Sequence, residues 1–332
     1  MRQHKDRKHA ASQKPRPKKS STKTVYRVRN WGDYNRSLIQ RYSVTVWIDE
    51  DALQAWKYSG PPRQGAQFEY SDVAIECMGT LREVYRLPLR GAEGLLRSLF
   101  TLMEVALAVP CYSTLSRRGR SLTIRLPKQA RGPLDLVIDS SGLKVYGEGE
   151  WKVRQHGASK RRTWRKVHLA VDPSQQEIQA AMLTDAGGDD AEMLAPLLGQ
   201  IDNEIHSVSA DGAYDKRKVY AELAERAPGA QVNIPPQRNA KIWQHGNSTE
   251  PALKRDENLR RIREIGRKAW KRETGYHRRS LAETAMFRMK TLLGGHLSNR
   301  RYDTQATQLG LRCRALNRMT HLGMPKSCAV TI

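Results

Sequence analysis

The sequence predicts an α/β protein, a mixed β-sheet with flanking helices, preceded by a mainly helical segment. Three observations carry that reading. Beyond Pro133, short runs rich in Leu, Ile and Val alternate with helical periods. Between Tyr70 and Arg120 the apolar residues recur at helical spacing alone. The chain has 332 residues, 39% of them hydrophobic, enough for at least one sizeable core.

Charge narrows the partner. The 58 Lys and Arg against 34 Asp and Glu leave +24, and compacting that much like charge is unfavourable without a polyanion, which points to nucleic acid. A membrane is excluded as a span: the most apolar run, 95–110, is interrupted by Arg97 and Glu104 and is too short to cross a bilayer. Cys77, Cys111, Cys313 and Cys328 form no C-x-x-C pair, and Cys313, His321 and Cys328 match no common zinc spacing. No secretory apolar region precedes the basic amino terminus, so a reducing cytoplasm, in association with the nucleoid, is expected.

Residues 1–24 hold nine Lys or Arg against one acid and read as a disordered basic arm. Residues 25–128 read as a helical DNA-binding domain. Within it, 42–48 (YSVTVWI) alternates and predicts one short strand. After Tyr70, Ser71 or Asp72 caps a helix whose face is Val73, Ile75, Cys77, Met78, Leu81, Val84 and Tyr85, stopped by Leu87-Pro88. A second helix spans Gly91 to about Val105, and Pro110 opens a third that carries Leu115, Arg117, Arg118 and Arg120. Three helices ending in arginines fit a helix-turn-helix, with Arg117, Arg118 and Arg120 offered to a DNA groove. A plain helical bundle with a solvated basic end fits the same residues.

Residues 129–325 read as a second domain. Strands are predicted at 134–138 (LDLVI), 165–171, 177–183, 207–210 and 231–234, with helices at about 190–201 and 216–226. The order β-β-β-α-β-α-β, followed by a long basic helical region, is that of the RNase H-like fold.

Asp139 follows LDLVI in the string VIDSSG, and Asp211 follows SVSA in SADGAY. If their strands are parallel neighbours, both carboxylates leave the same sheet edge, where open α/β sheets place ligands. Alone, an Asp at a strand end is more often a turn former. The third element is Tyr276, Arg279, Glu283 and Lys290, which fit Y-x2-R-x3-E-x6-K. At about 100° per residue these four fall within a helical stripe about 60° wide, beside a buried face of Leu281, Ala282, Ala285, Met286, Met289, Leu292 and Leu293. Phe287 alone does not fit. Among competing acids, Asp185, Asp189 and Asp190 sit in a glycine loop and N-cap, Asp172 precedes Pro173 in a turn, and Asp215 is a supporting residue. His168 and His277 read as structural.

VIDSSG, SADGAY and the Y-R-E-K helix together resemble the bacterial insertion-sequence transposases of the DDE class, most closely the insertion-sequence family designated five. LPLRGAEGLL and VPCYSTLSRRGR resemble that family's DNA-binding segment, so the likeness runs from about Gly65 to Leu322. It implies Asp139, Asp211 and Glu283 as catalytic residues and metal ligands, and Tyr276, Arg279 and Lys290 as DNA contacts. It implies binding of terminal inverted repeats, strand cleavage and transfer into target DNA, and a homodimer or higher oligomer on DNA. Residues 235–275 are short, basic and helical by pattern, unlike relatives that carry a β-rich insertion there.

The chemistry asks for these residue types. A phosphodiester is anionic and resists attack; two Mg2+ ions about 4 Å apart neutralise it, activate the attacking oxygen and stabilise the leaving one. Three acids hold two ions if one bridges, and Asp139, on the central strand, is the expected bridge, with Mn2+ as a substitute ion. Two basic stretches flank the acids: 152–166, which includes Lys160, Arg161 and Arg162, and 255–279. Two rival readings remain: an RNase H-like nuclease that cuts without joining, and a DNA-binding regulator derived from a transposase.

Overall fold

The computed structural model describes residues 24–62, 64–65, 67–126, 132–145, 164–244 and 252–331. The expected basic arm lies outside them but for Thr24. The described chain enters on β1 (Thr24–Val28) and continues through α1 (Trp31–Gln40), α2 (Val44–Trp47), α3 (Glu50–Gln54), α4 (Asp72–Val84), α5 (Leu89–Leu102) and α6 (Tyr112–Arg118). Ser71 is the cap of α4, its Oγ accepting from Ala74 N at 3.2 Å. Pro88 then forces the break before α5.

The strand expected at 42–48 is a helical turn instead. Val44, Val46, Trp47 and Ile48 all pack into the helical core, and among the described residues no strand lies alongside to pair. The turn is tied locally: Trp47 Nε1 donates to Arg41 O at 3.0 Å.

The sheet follows: β2 (Leu134–Val145), β3 (Trp164–Asp172) and β4 (Glu177–Asp185); then a 3-10 turn, Asp190–Met193, and α7 (Leu194–Leu198); then β5 (Ile205–Ser209), a 3-10 turn at Gly212–Tyr214, α8 (Arg217–Arg226) and β6 (Gln231–Asn233). The helix expected at 190–201 is thus split, its first turn wound tightly from the Asp189 cap. Last come α9 (Lys254–Ile265), α10 (Arg267–Glu273), a 3-10 turn at Tyr276–Arg279, α11 (Ser280–Leu293), β7 (His296–Leu297), α12 (Tyr302–Leu322) and β8 (Ser327–Thr331).

The strand order is β4-β3-β2-β5-β6, with β7 also on β2. β3 and β4 run antiparallel to their neighbours, whereas β5, β6 and β7 run parallel. Separately, β1 pairs antiparallel with β8 and ties the two ends of the described chain together.

The period of two divides β2 between two cores. Leu134, Leu136 and Ile138 face α7 and α8, while Val137 and Leu143 face α11 and α12. A third core joins the amino-terminal helices, and α12 serves two of them: Leu309, Cys313 and Leu316 on the sheet, Ala315 and Met319 on the helices. The helices come close where α4 crosses α12, since a Cβ on Gly79 would meet Leu311 Cδ1 at 2.8 Å. Among the described residues no helix is long and apolar enough to cross a membrane.

Candidate active site

Register brings two of the three acids to one edge. Val137 of β2 pairs with Ser209 of the parallel β5, and Asp139 and Asp211 each lie two residues further on. β5 ends at Ser209, and β7 reaches β2 only at Lys144, so among the described residues no strand flanks 138–143 on that side. The opening lies beyond the carboxyl end of β5, where parallel sheets leave room for ligands. Asp139 does not end its strand as the sequence implied. β2 continues to Val145 because β3 pairs with it from Val137 to Lys144, which fixes the Asp139 backbone within a ladder. Asp211 is held differently, as the cap of the turn Gly212–Tyr214, its Oδ1 accepting from Ala213 N at 2.9 Å.

Glu283 arrives from α11. Ala282, Ala285, Met286 and Met289 pack onto the Val137 and Leu169 face of the sheet, and Phe287, the misfit of the sequence pattern, is 69% exposed. The turn before α11 is pinned by Arg278, which bonds Asp135 Oδ2 and Ser174 Oγ, each at 2.9 Å. The next residue, Arg279, donates to Asp139 Oδ1 at 3.3 Å and also to Glu283 Oε1, so one guanidinium bridges both acids. Lys290 Nζ donates to Ser141 Oγ at 2.6 Å; with a period of two, Ser141 shares the face of Asp139.

Electrostatics agree with this geometry. Burial holds the Asp139 carboxyl above its ordinary pKa against the pull of Arg279, and both Asp211 and Glu283 raise it further. The Asp139 carboxylate thus sits where positive charge is favourable. Burial also raises the Tyr276 phenol and lowers the Lys290 amine.

Two expected contacts need correction. Tyr276 is not on the exposed stripe, because 276–279 wind as a 3-10 turn with a different period. It is 8% exposed, with its ring centroid 5.8 Å from that of Trp270. Arg118 is turned inward: it pairs with Asp72, donates to Tyr70 O at 2.7 Å and stacks 3.7 Å over the Phe68 ring. Arg117 and Arg120 are exposed. Lys160, Arg161 and Arg162 lie outside the described residues.

Sequence reasoning named Asp215 as a supporting residue but missed Asp135 and Arg255. Asp135, with Ser207 at 2.6 Å and Arg278, locks β2 to β5 and to the turn before α11. Arg255 binds Asp215 at 2.8 Å and Asp256 at 3.1 Å in an almost fully buried network beside the Asp211 turn. An acid at an inward strand position was the available signal for Asp135, whereas Arg255 was hidden among the many basic residues of 255–279. The competing acids are engaged elsewhere: Asp189 with Lys216 at 2.7 Å, Asp190 with Lys166 at 2.8 Å. His168 is fully buried, with Thr184 Oγ1 at 2.9 Å.

A groove of about 890 Å³ lies between α6 and the start of α12. Leu89, Leu115 and Leu311 lie along it, with the exposed Arg90, Arg117, Arg120 and Arg300.

The donor set at the sheet edge suits a hard divalent cation, being carboxylate oxygens that already hold a guanidinium between them. Among the described residues, no three His, Cys, Asp or Glu side chains stand grouped as a metal cluster, and Arg279 bonds both Asp139 and Glu283.

An acidic site at the open end of parallel strands in a basic chain belongs with proteins that act on polyanions. Two profiles, both described as "Transposase DDE domain", match residues 39–148 and 130–318. The chain therefore belongs to the transposase DDE domain family. A solved piggyBac transposase, in a synaptic complex with hairpin DNA, resembles it with a TM-score of 0.39 and 10% identity over 85% of this chain and 73% of that one.

Proposed function

We propose that this chain is an insertion-sequence transposase of the family designated five, with an RNase H-like catalytic domain behind a helix-turn-helix-like DNA-binding domain. It binds terminal inverted repeats and cleaves and transfers DNA strands. The observation that supports this reading is the Arg279 bridge between Asp139 and Glu283 at the sheet's open edge, with Asp211 two residues beyond the β5 residue that pairs with β2. With two Mg2+ ions bound, such a site neutralises a phosphodiester and activates the attacking oxygen.

The chain's own residues then divide the work. Asp139 is held by the strand ladder, Asp211 by its turn and Glu283 by α11, so the carboxylates are oriented before any ligand arrives. Arg279 and Lys290 supply positive charge on either side of Glu283 and orient the backbone of the cut strand without reading its sequence. The working form is a homodimer or higher oligomer on DNA, in the cytoplasm.

Incubating the protein with candidate element ends, a target plasmid and Mg2+ tests the reading, with every new DNA end mapped. The expected result is cleavage at the element end and covalent joining to the target. Cleavage without joining favours the nuclease, and metal-independent binding without products favours the regulator.

The groove beside α6 is the proposed anchor for the DNA end. From Asp139 to Val145, β2 rises about 20 Å, the length of roughly six base pairs, before β7 leads on to Arg300. One duplex therefore spans both places. Arg117→Glu combined with Arg300→Glu is expected to weaken binding to all duplexes alike and to flatten the plot of log affinity against log salt by about two units, one per lost phosphate contact. An unchanged slope would return these arginines to an ordinary solvated rim.

A further inference from the structure

We infer that Arg279 makes divalent-cation binding and DNA binding at this site one coupled event: its guanidinium fills the acidic site until a phosphodiester draws it out. The inference rests on the reading of Asp139, Asp211 and Glu283 as metal ligands, and three observations carry it. A single planar fork bonds two of the three candidate ligands, Asp139 at 3.3 Å and Glu283. The neighbouring cations are engaged elsewhere: Lys290 on Ser141, Arg278 on Asp135, Lys216 on Asp189 and Arg255 on Asp215. Among the described residues, Arg279 is thus the group that neutralises the site. Finally, its side chain is 21% exposed and reaches the acids from the rim, and Glu283 beside it is 54% exposed, so the fork has a way out.

A hard divalent ion takes carboxylate oxygens at about 2.0–2.1 Å, and those oxygens cannot serve the ion and a guanidinium lying between them together. Arg279 must move aside. A phosphodiester offers it two anionic oxygens in the geometry its fork matches, so DNA is the natural acceptor of the displaced side chain. Without DNA, the apparent metal affinity is the intrinsic one reduced by the fraction of molecules with Arg279 already out. Linkage then requires reciprocity: metal tightens the grip on DNA by the factor by which DNA tightens the grip on metal. Arg279 is on this account a positioning residue that keeps the site closed to metal until the substrate is present.

The test is a Mn2+ titration of the full chain, with free ion read by electron paramagnetic resonance, for wild type, Arg279→Gln, Arg279→Lys and Glu283→Gln. Without DNA, Arg279→Gln is expected to bind Mn2+ at least about tenfold more tightly than wild type, the scale of losing a charged hydrogen-bonded partner. Arg279→Lys keeps the charge without the fork and is expected between them, which guards against a folding artefact. A short duplex, corrected for its own Mn2+ uptake, should tighten binding by wild type and change that of Arg279→Gln little. Equal or weaker binding by Arg279→Gln, with binding lost in Glu283→Gln, would overturn the inference while leaving the triad intact. No saturable Mn2+ in any variant would overturn the metal reading itself, and this inference with it.

Discussion

Asp139→Asn, Asp211→Asn and Glu283→Gln are each expected to lower strand cleavage by at least about a thousandfold, some 4 kcal/mol of barrier, while element-end binding changes little. Each substitution preserves shape and removes a charge. None breaks the ladder of β2, and the Asn at 211 retains an oxygen that accepts from Ala213 N, so the fold has no reason to fail. Cleavage, with Mg2+, and binding, without metal, are to be measured on the same preparations, by end mapping and by electrophoretic mobility. A variant retaining more than about a tenth of wild-type cleavage would remove that residue from the catalytic set, and parallel loss of binding would point to misfolding.

The second large effect concerns stability. Glu83 of α4 and Arg312 of α12 form an ion pair at 2.6 Å with 4% and 5% of their side chains exposed, and Gln308 donates to both Glu83 oxygens. Arg312 also donates to Gly294 O at 3.0 Å, where α11 ends with a glycine at φ 99°, a conformation that other residues rarely adopt. Arg312→Met strands a buried carboxylate with only Gln308 and the more distant Arg82. It should cost about 3–5 kcal/mol and lower the melting temperature by roughly 5–10 °C. Glu83→Leu in the same chain is expected to restore most of that loss, because an apolar pair has no charge to desolvate. Thermal melting of the single and double variants measures this. A double variant no more stable than Arg312→Met would show that packing, rather than the stranded charge, sets the cost.

The same helix shows where sequence reasoning stops. Strands β2 to β6 were legible as short apolar runs, β2 and β3 buried on both faces, and helices α4, α5 and α8 because each carries one apolar face in the right period. α12 carries no such face: it is buried on two sides, and Gln305, Gln308, Arg312 and Asn317 occupy inward positions. They are there to meet specific partners; Asn317, for example, bonds both Ile178 N and Ile178 O at 2.8 Å where the β3–β4 register shifts. A polar residue satisfied by tertiary contact looks the same in sequence as one facing water.

The candidate site was legible in part for a related reason. Asp139 and Asp211 were found because they follow strands, and Glu283 because of its spaced companions, yet the Arg279 bridge joins residues far apart in the chain. Tyr276 was misplaced because a uniform 100° step was carried through a 3-10 turn. Arg118 was taken for a surface group because nothing in RRGR distinguishes an arginine with a waiting carboxylate from its neighbours.

The central claim is that Asp139, Asp211 and Glu283 form one metal site acting on DNA. Its most direct test is anomalous diffraction at the manganese edge from crystals of the protein with an element-end duplex and Mn2+. The predicted result is two peaks about 4 Å apart, with Asp139 touching both, Asp211 and Glu283 each completing one, and Arg279 moved onto a phosphate. Manganese bound elsewhere, or Arg279 still joining Asp139 to Glu283 with DNA in place, would contradict the account.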